Sequence, residues 1–440
     1  MAGSHVAADA ELKTGTAPTF SEALRIWARI GLLSSGGPTA QIALMHRVLV
    51  DEKKWLSEQQ FLNALSFCML LPGPEAMQLA TYAGWRQHGV KGGLAAGLLF
   101  VLPGALLIFA LAAIYAAFGN LSLVQTIFFG IKAAVLIIVV EALLRVAKRA
   151  LHKPFHWWLA GFSFVAIFFF SLPFPLVIAA AAAAGFFLTG QERSVEPTAP
   201  LAKVDPLSTL KTVGAWLVIW LGPLIAIALI VGGDHVLTEL GVFFSKLAVV
   251  TFGGAYAVLA YMAQEVVQHH GWLNAGEMLD GLGLAETTNG PLILVIEFVG
   301  YLAAYRFGGG PPMVMGIAGA VITLWVTFAP CFLWIFAGAP YIERLQAMPR
   351  LRGALSGVTA AVVGVILNLS VWFGLHVFFG TVDKGEAGPL TLWLPDVRTL
   401  DWAALTLAAI SALVLFRFHL SLAWTLTLAA GLSLAWHLLW

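Results

Sequence analysis

Apolar stretches of roughly twenty residues, the length that crosses a bilayer as a helix, follow one another along most of this chain with short polar breaks between them. They predict spans at about 24–46, 61–84, 93–118 and 121–147, then two shorter ones at 156–171 and 173–189. A polar linker of 190–211 precedes a single span at 212–232. Six more follow at 242–264, 278–305, 312–338, 353–379, 402–416 and 419–438, which makes thirteen crossings. Two spans carry breaks inside them. Gly36-Gly37-Pro38 interrupts the first and Pro72-Gly73-Pro74 the second, since proline removes a helical donor and glycine loosens the turn.

The same order of elements occurs twice. An offset of 217 residues lays Gly36 on Gly253, Gly37 on Gly254, Trp55 on Trp272, Gly73 on Gly290 and Pro74 on Pro291. A second offset of 227 lays Pro103 on Pro330, Phe109 on Phe336 and Gly130 on Gly357. The expected organisation is therefore an N-terminal segment (1–23), a first transmembrane repeat (24–189), a linker with one extra helix (190–241) and a second repeat (242–440). Seven crossings separate the two repeat starts. An odd number inverts the second copy, which is a transporter architecture with its site near mid-membrane, where broken helices of both copies meet. Two parallel halves are the alternative, and one miscounted short helix would produce them.

Composition agrees with a bilayer. The chain is 60% hydrophobic and 11% charged, with a mean hydropathy of +0.88, against about 25% charged residues in soluble domains. The fold class is thus an all-α polytopic membrane protein. A net charge of +1 gives no reason to expect nucleic acid. Cys68 and Cys331 sit in apolar segments and suggest neither a disulfide framework nor a metal cluster. The polar, Ala/Thr-rich start lacks a signal-peptide core, so the first helix is expected to be retained. With the N-terminus cytoplasmic, fourteen Lys and Arg residues fall on inner segments and six on outer ones, in line with the positive-inside rule. Arg47, Lys53 and Lys54 are the exception on that count. They place a basic cluster outside, while the His269 loop falls inside.

Four basic residues, Arg25, Arg29, Lys132 and Lys246, lie within apolar segments, where a charge costs ~2.5–3.5 kcal/mol and usually faces the bundle interior. Arg25 is close enough to its helix end to snorkel. Arg29 and Lys246 are repeat equivalents, each seven residues before its Gly-Gly pair. Seven residues is about two helical turns, so each cation shares a face with its break. A broken helix exposes N–H groups that suit an anion. Arg29, Lys246 and the breaks at Gly36, Gly37, Pro38, Gly253 and Gly254 therefore form a candidate site for a compact dianion. In the alternative reading Glu141, Glu286 or Glu297 neutralises the two cations. At the second breaks Gly73, Pro74, Gly290 and Pro291 suit helix starts, Asn289 suits an N-cap, and Thr287 and Thr288 offer hydroxyls beside it. Glu75, Glu286 and Glu297 are proton-coupling candidates, although Glu75 equally suits a helix dipole. No metal-ligand pattern, cofactor motif or nucleotide-binding loop is present in the sequence. An intramembrane enzyme using Thr251, His88 or His46 is the rival from another class.

The segments Gly36-Gly37-Pro38 with Gln41-Ile42-Ala43-Leu44-Met45-His46-Arg47, and Cys68 to Glu75 with Gln78-Leu79-Ala80-Thr81-Tyr82, resemble the first half of the chromate ion transporter family. Thr251 to Tyr256 and Gly281 to Thr288 resemble its second half, and the likeness covers nearly the whole chain. The resemblance implies two homologous domains of opposed topology in a bacterial inner membrane, exporting chromate to give resistance. It adds Gln41 and Tyr256 to the substrate-binding candidates. Ser35, Asn289 and Glu297 stand where the family pattern has Phe, Pro and Gln. Partners are then chromate, with sulfate as the alternative oxyanion, and the lipid bilayer. Monomer and homodimer both stay open.

Overall fold

The computed structural model describes residues 18–188, 206–250, 252, 255–342 and 348–439. Thr251, Gly253 and Gly254 lie outside the described residues, as does most of the linker. The first half runs α1 (Phe20–Leu33), α2 (Gly37–His46), α3 (Glu58–Cys68), α4 (Glu75–Phe118, non-helical at His88 and Gly89), α5 (Ser122–Ala150), α6 (Pro154–Phe168) and α7 (Phe174–Leu188). After α8 (Pro206–Val231) come α9 (Val236–Val250), α10 (Ala255–Gln264), α11 (Ala275–Thr287), α12 (Val295–Phe307), α13 (Pro312–Gly338), α14 (Pro349–Phe378), α15 (Trp402–Phe416) and α16 (Leu422–Leu439). Among the described residues, five helices are long and apolar enough to cross a membrane, and four more are shorter and apolar.

The repetition read in the sequence has local counterparts at matching places. A π-helical turn closes α2 at Arg47–Glu52 and another closes α10 at Glu265–His269. Ser57 and Gln60 form a capping box at the start of α3. Asn274 and Glu277, 217 residues on, form the same box at α11. The two halves also interlock. Helix α5 packs on α15 and α16 of the second half, and α14 packs on α6 and α7 of the first. The equivalent glycines Gly130 and Gly357 each sit at one of these contacts. A Cβ on Gly130 would lie 2.2 Å from the Ala429 carbonyl oxygen, and one on Gly357 2.3 Å from that of Ala181. Small residues let membrane helices approach backbone to backbone.

The broken segments differ from the sequence expectation. They do not run on in one direction; they double back. Lys53, beyond α2, bonds Glu22 at the start of α1 at 3.0 Å, and Trp27 meets Trp55 at 6.4 Å between ring centroids. His88, at the end of the first arm of α4, packs on Phe20. Phe243 of α9 contacts His270 and Trp272, beyond α10. Arg306, at the end of α12, forks onto Glu277 at the start of α11. Pairs α1–α2, α3 with the first arm of α4, α9–α10 and α11–α12 are therefore helical hairpins with their ends together, and the described breaks lie at the tips. Reading 24–46, 61–84, 242–264 and 278–305 as single crossings is corrected accordingly. Hydropathy registers apolar length, and two half-length arms joined by Gly or Pro add to the same length as one span.

A β-hairpin, β1 (Val382–Ala387) with β2 (Leu390–Pro395), is a second departure from an all-helical reading. It docks on the α6–α7 turn, where Thr391 N–H donates to the Phe169 carbonyl at 2.7 Å.

Candidate functional site

Each described break has a glycine in the left-handed region: Gly36 at φ +85°, Gly73 at +113° and Gly290 at +97°. There glycine costs far less than a residue with a Cβ. Irregular backbone at bilayer depth survives only where protein satisfies its polar groups, and here the tips do this for one another. The Gly290 N–H donates to the Ser34 carbonyl at 2.6 Å, and Gln41 Nε2 donates to the Gly290 carbonyl at 2.6 Å. Asn289 Nδ2 reaches the Leu32 carbonyl at 2.9 Å. The first break of one half is thus stitched to the second break of the other. Asn289 is not the N-cap expected of it: helix α12 starts at Val295 with Leu294 as its cap, so the Asn289 amide is free for this tie. Pro74 precedes α4 by one residue, and Pro291 precedes a 3-10 turn at Leu292–Leu294.

A cavity of about 230 Å³ lies beside the two breaks of the first half. Pro38 and Thr39 contribute from the first break, Gly73 and Glu75 from the second, and Tyr256 from the start of α10. Its cations, Arg145 and Arg149, come from α5. They stand one turn apart and so share a face. Arg145 is held by both carboxylate oxygens of Glu141. Behind Tyr256, its hydroxyl donates to Glu286 Oε1 at 2.6 Å. Glu75 occupies the first turn of α4, at a helix N-terminus.

The expected cations are elsewhere. Arg29 is exposed on α1, with 55% of its side chain accessible, and faces Glu52 at 3.7 Å. Lys246 is exposed on α9, and neither residue lines the cavity. The Arg29 side chain turns toward Glu52 on the far arm of its hairpin and not toward the cavity. Thr287 and Thr288 donate their hydroxyls to carbonyls of their own helix, at Gly283, Leu284 and Ala285. Glu297 is 2% exposed on α12, and its Oε2 has no hydrogen-bond partner among the described residues. His46 is committed to Glu58 at 2.7 Å. Arg145 and Arg149 are the residues that sequence reasoning passed over as inner-segment charges. The available signal was Glu141 four residues before Arg145, an acid–base pair inside an apolar span.

The family described as Chromate transporter matches residues 21–186 and 238–435. The chain is 30% identical over 362 residues to the chromate transport protein of Cupriavidus metallidurans, covering 80% of this chain and 82% of that one. It is 33% identical over 348 residues to the chromate transport protein of Pseudomonas aeruginosa, with 77% of each covered. An uncharacterised transporter of Methanocaldococcus jannaschii is 27% identical over 350 residues, 79% of this chain and 83% of that one. No solved structure matches.

Proposed function

The chain belongs to the chromate transporter family, and from that premise we propose that it is a secondary transporter exporting chromate, a tetrahedral dianion, across the bacterial inner membrane to give resistance. The observation that carries this reading is the cavity at the helix breaks, with two arginines on one wall and broken-helix N-termini on the other. A dianion moving outward gains ~2.3 kcal/mol per charge per 100 mV, so about 7 kcal/mol at ~150 mV, or roughly five decades of gradient without ATP. Glu75 and Glu286, one lining the cavity and one tied to its tyrosine, are the candidates for optional proton coupling.

The membrane arrangement in this reading has nine crossings and four re-entrant hairpins. The second arm of α4 and α5, α6 and α7 cross in the first half, α8 alone between the halves, and α13 to α16 in the second. Five crossings separate the two repeat starts. The number is odd, so the copies insert inverted. Thirteen of the described Lys and Arg residues then share one face, Arg47, Lys53 and Lys54 among them, against Arg306, Lys384 and Arg398 on the other. The former exception to the positive-inside rule disappears. The N-terminus and the mouth beside Arg149 lie on the cytoplasmic face.

Purified protein in liposomes tests the proposal. With an imposed potential, labelled chromate should move toward the positive compartment, and sulfate, alike in shape and charge, should compete weakly or strongly according to selectivity. Flux that ignores the potential, or chromate that is not carried at all, would refute it.

A further inference from the structure

A second cavity, of about 250 Å³, lies where the start of α11, the end of α14 and the start of α15 surround the outer half of α5. Phe129, Lys132, Gly276, His376, Thr399 and Asp401 are among its lining residues. We propose that this cavity is a second oxyanion station on the transport path, with Lys132 as its cation and Asp280 as the counter-ion that occupies Lys132 when the anion is absent. The inference rests on the export reading above and names a further substrate site within it.

Four features of the cluster support this. Lys132 and Arg145 stand on the same helix thirteen residues apart, ~20 Å along its axis, so α5 supplies a cation to each cavity. Lys132 Nζ lies 3.4 Å from Asp280 Oδ2, longer than the ~2.7–2.9 Å of a tight charge-assisted bond, and 29% of the side chain is accessible. An ammonium has three donors, so this contact leaves capacity for a ligand. Asp280 has 4% of its side chain accessible. Tyr115 holds Asp280 Oδ2 at 2.7 Å, and Asp280 Oδ1 is buried without a partner among the described residues. A carboxylate so placed is a weakly satisfied counter-ion that a better anion can displace. Finally, Gly276 keeps space open at the ammonium: a Cβ there would come within 3.0 Å of Nζ.

The other charges nearby are already engaged. Asp401 caps α15 through the N–H groups of Ala403 and Ala404. Glu277 is forked by Arg306. His376 uses Nδ1 on the Trp372 carbonyl. In the topology above, this cavity belongs to the periplasmic half and the Arg145 cavity to the cytoplasmic half. An exported anion would pass from one to the other along α5.

The test is chromate flux in right-side-out and inside-out membrane vesicles, which present opposite faces of the protein to a labelled pool. Lys132→Met should raise the apparent KM at the periplasmic face by roughly tenfold, about the worth of one charged hydrogen bond, and change it by less than about twofold at the cytoplasmic face. Lys132→Arg should restore most of the loss. Asp280→Asn keeps the cation and removes its competitor, so the periplasmic KM should fall; this variant decides the matter if Lys132→Met does not insert. Equal shifts at both faces, or an unchanged periplasmic KM in both variants, would overturn the second station and leave the export reading standing. Absence of chromate flux in the wild-type vesicles would overturn both.

Discussion

Arg145 and Arg149 do for the proposed site what the repeat pattern assigned to Arg29 and Lys246. The difference is a matter of where each guanidinium or ammonium points, not of depth along the sequence. Arg149 is exposed at the cavity wall, whereas Arg145 is shared with Glu141. Charged hydrogen bonds are worth ~1.5–3 kcal/mol each. Arg149→Gln and Arg145→Gln should therefore weaken chromate binding by roughly ten- to a hundredfold, with non-additive effects in the double variant because both act on one ligand. Arg149→Lys should recover part of the loss, since the charge is kept and the planar fork is not. Arg29→Gln and Lys246→Gln should leave affinity unchanged. Calorimetric titration of purified variants checks this, and weakened binding in Arg29→Gln alone would return the site to the first break. Glu297 calls for a different expectation. It is buried on α12 with an unbonded oxygen, and a charge is costly there unless paired. Glu297→Gln should insert with undiminished yield and still transport, with a flatter pH profile; an inserted but inactive variant would make Glu297 essential to the carrier cycle.

At the scale of elements, the helical hairpins are closed at their bases by ion pairs in α1–α2 and α11–α12 and by aromatic contacts in α9–α10, while the first arm of α4 packs its end on Phe20 of α1. The α11–α12 base is the clearest case. Burial pushes the Glu277 carboxyl up, but the Arg306 fork, the Asn274 N–H and the nearby charges of Arg306 and Lys132 outweigh it, and the net position is below the ordinary carboxylate value. A carboxyl held low in the folded state contributes stability above its unfolded pKa, ~4.3, and loses that contribution as pH falls through the folded value. Arg306 is 37% accessible, so screening limits the pair to ~1 kcal/mol or less. Wild-type protein should lose thermal stability below about pH 4.3, and Arg306→Gln should be less stable at neutral pH with a smaller acid loss; parallel melting curves for the two would count against the pair. The breaks themselves were legible in the sequence, because Gly and Pro in an apolar run have few other readings. The hairpin turn was not. Hydropathy measures how many apolar residues follow one another, and direction enters only through contacts such as Glu22–Lys53 and Glu277–Arg306, between residues about thirty apart. The same limit hid the orientation of Arg29 and the docking of the β-hairpin on Phe169, both set by partners far away in the chain.

The molecule as a whole is two copies of one unit that exchange arms: α5 is clasped by α15 and α16, and α14 by α6 and α7. The first break of the first half is closed by the second break of the second half through Ser34, Gln41, Asn289 and Gly290, whereas at the second break of the first half the Pro72 carbonyl accepts from Gln78 Nε2 of its own half at 2.6 Å. The 230 Å³ cavity borders both breaks of the first half, at Pro38 and at Gly73, together with Tyr256. The inverted arrangement requires the hairpin bases of the two halves to face opposite sides. Cysteines introduced singly at Lys53 and at His269 should therefore react with an impermeant thiol reagent from opposite faces, Lys53 from the cytoplasmic side with the N-terminus. A thirteen-crossing arrangement of straight broken helices also separates Lys53 from His269, but exchanges their sides. Paired cysteines discriminate further: Glu22→Cys with Lys53→Cys should be joined by a bifunctional thiol reagent that spans the length of the two native side chains, whose tips meet at 3.0 Å, whereas helices that pass straight through would hold those positions a bilayer apart. Labelling of Lys53→Cys from the periplasm, together with failure of that cross-link in well-folded protein, would restore the straight crossings.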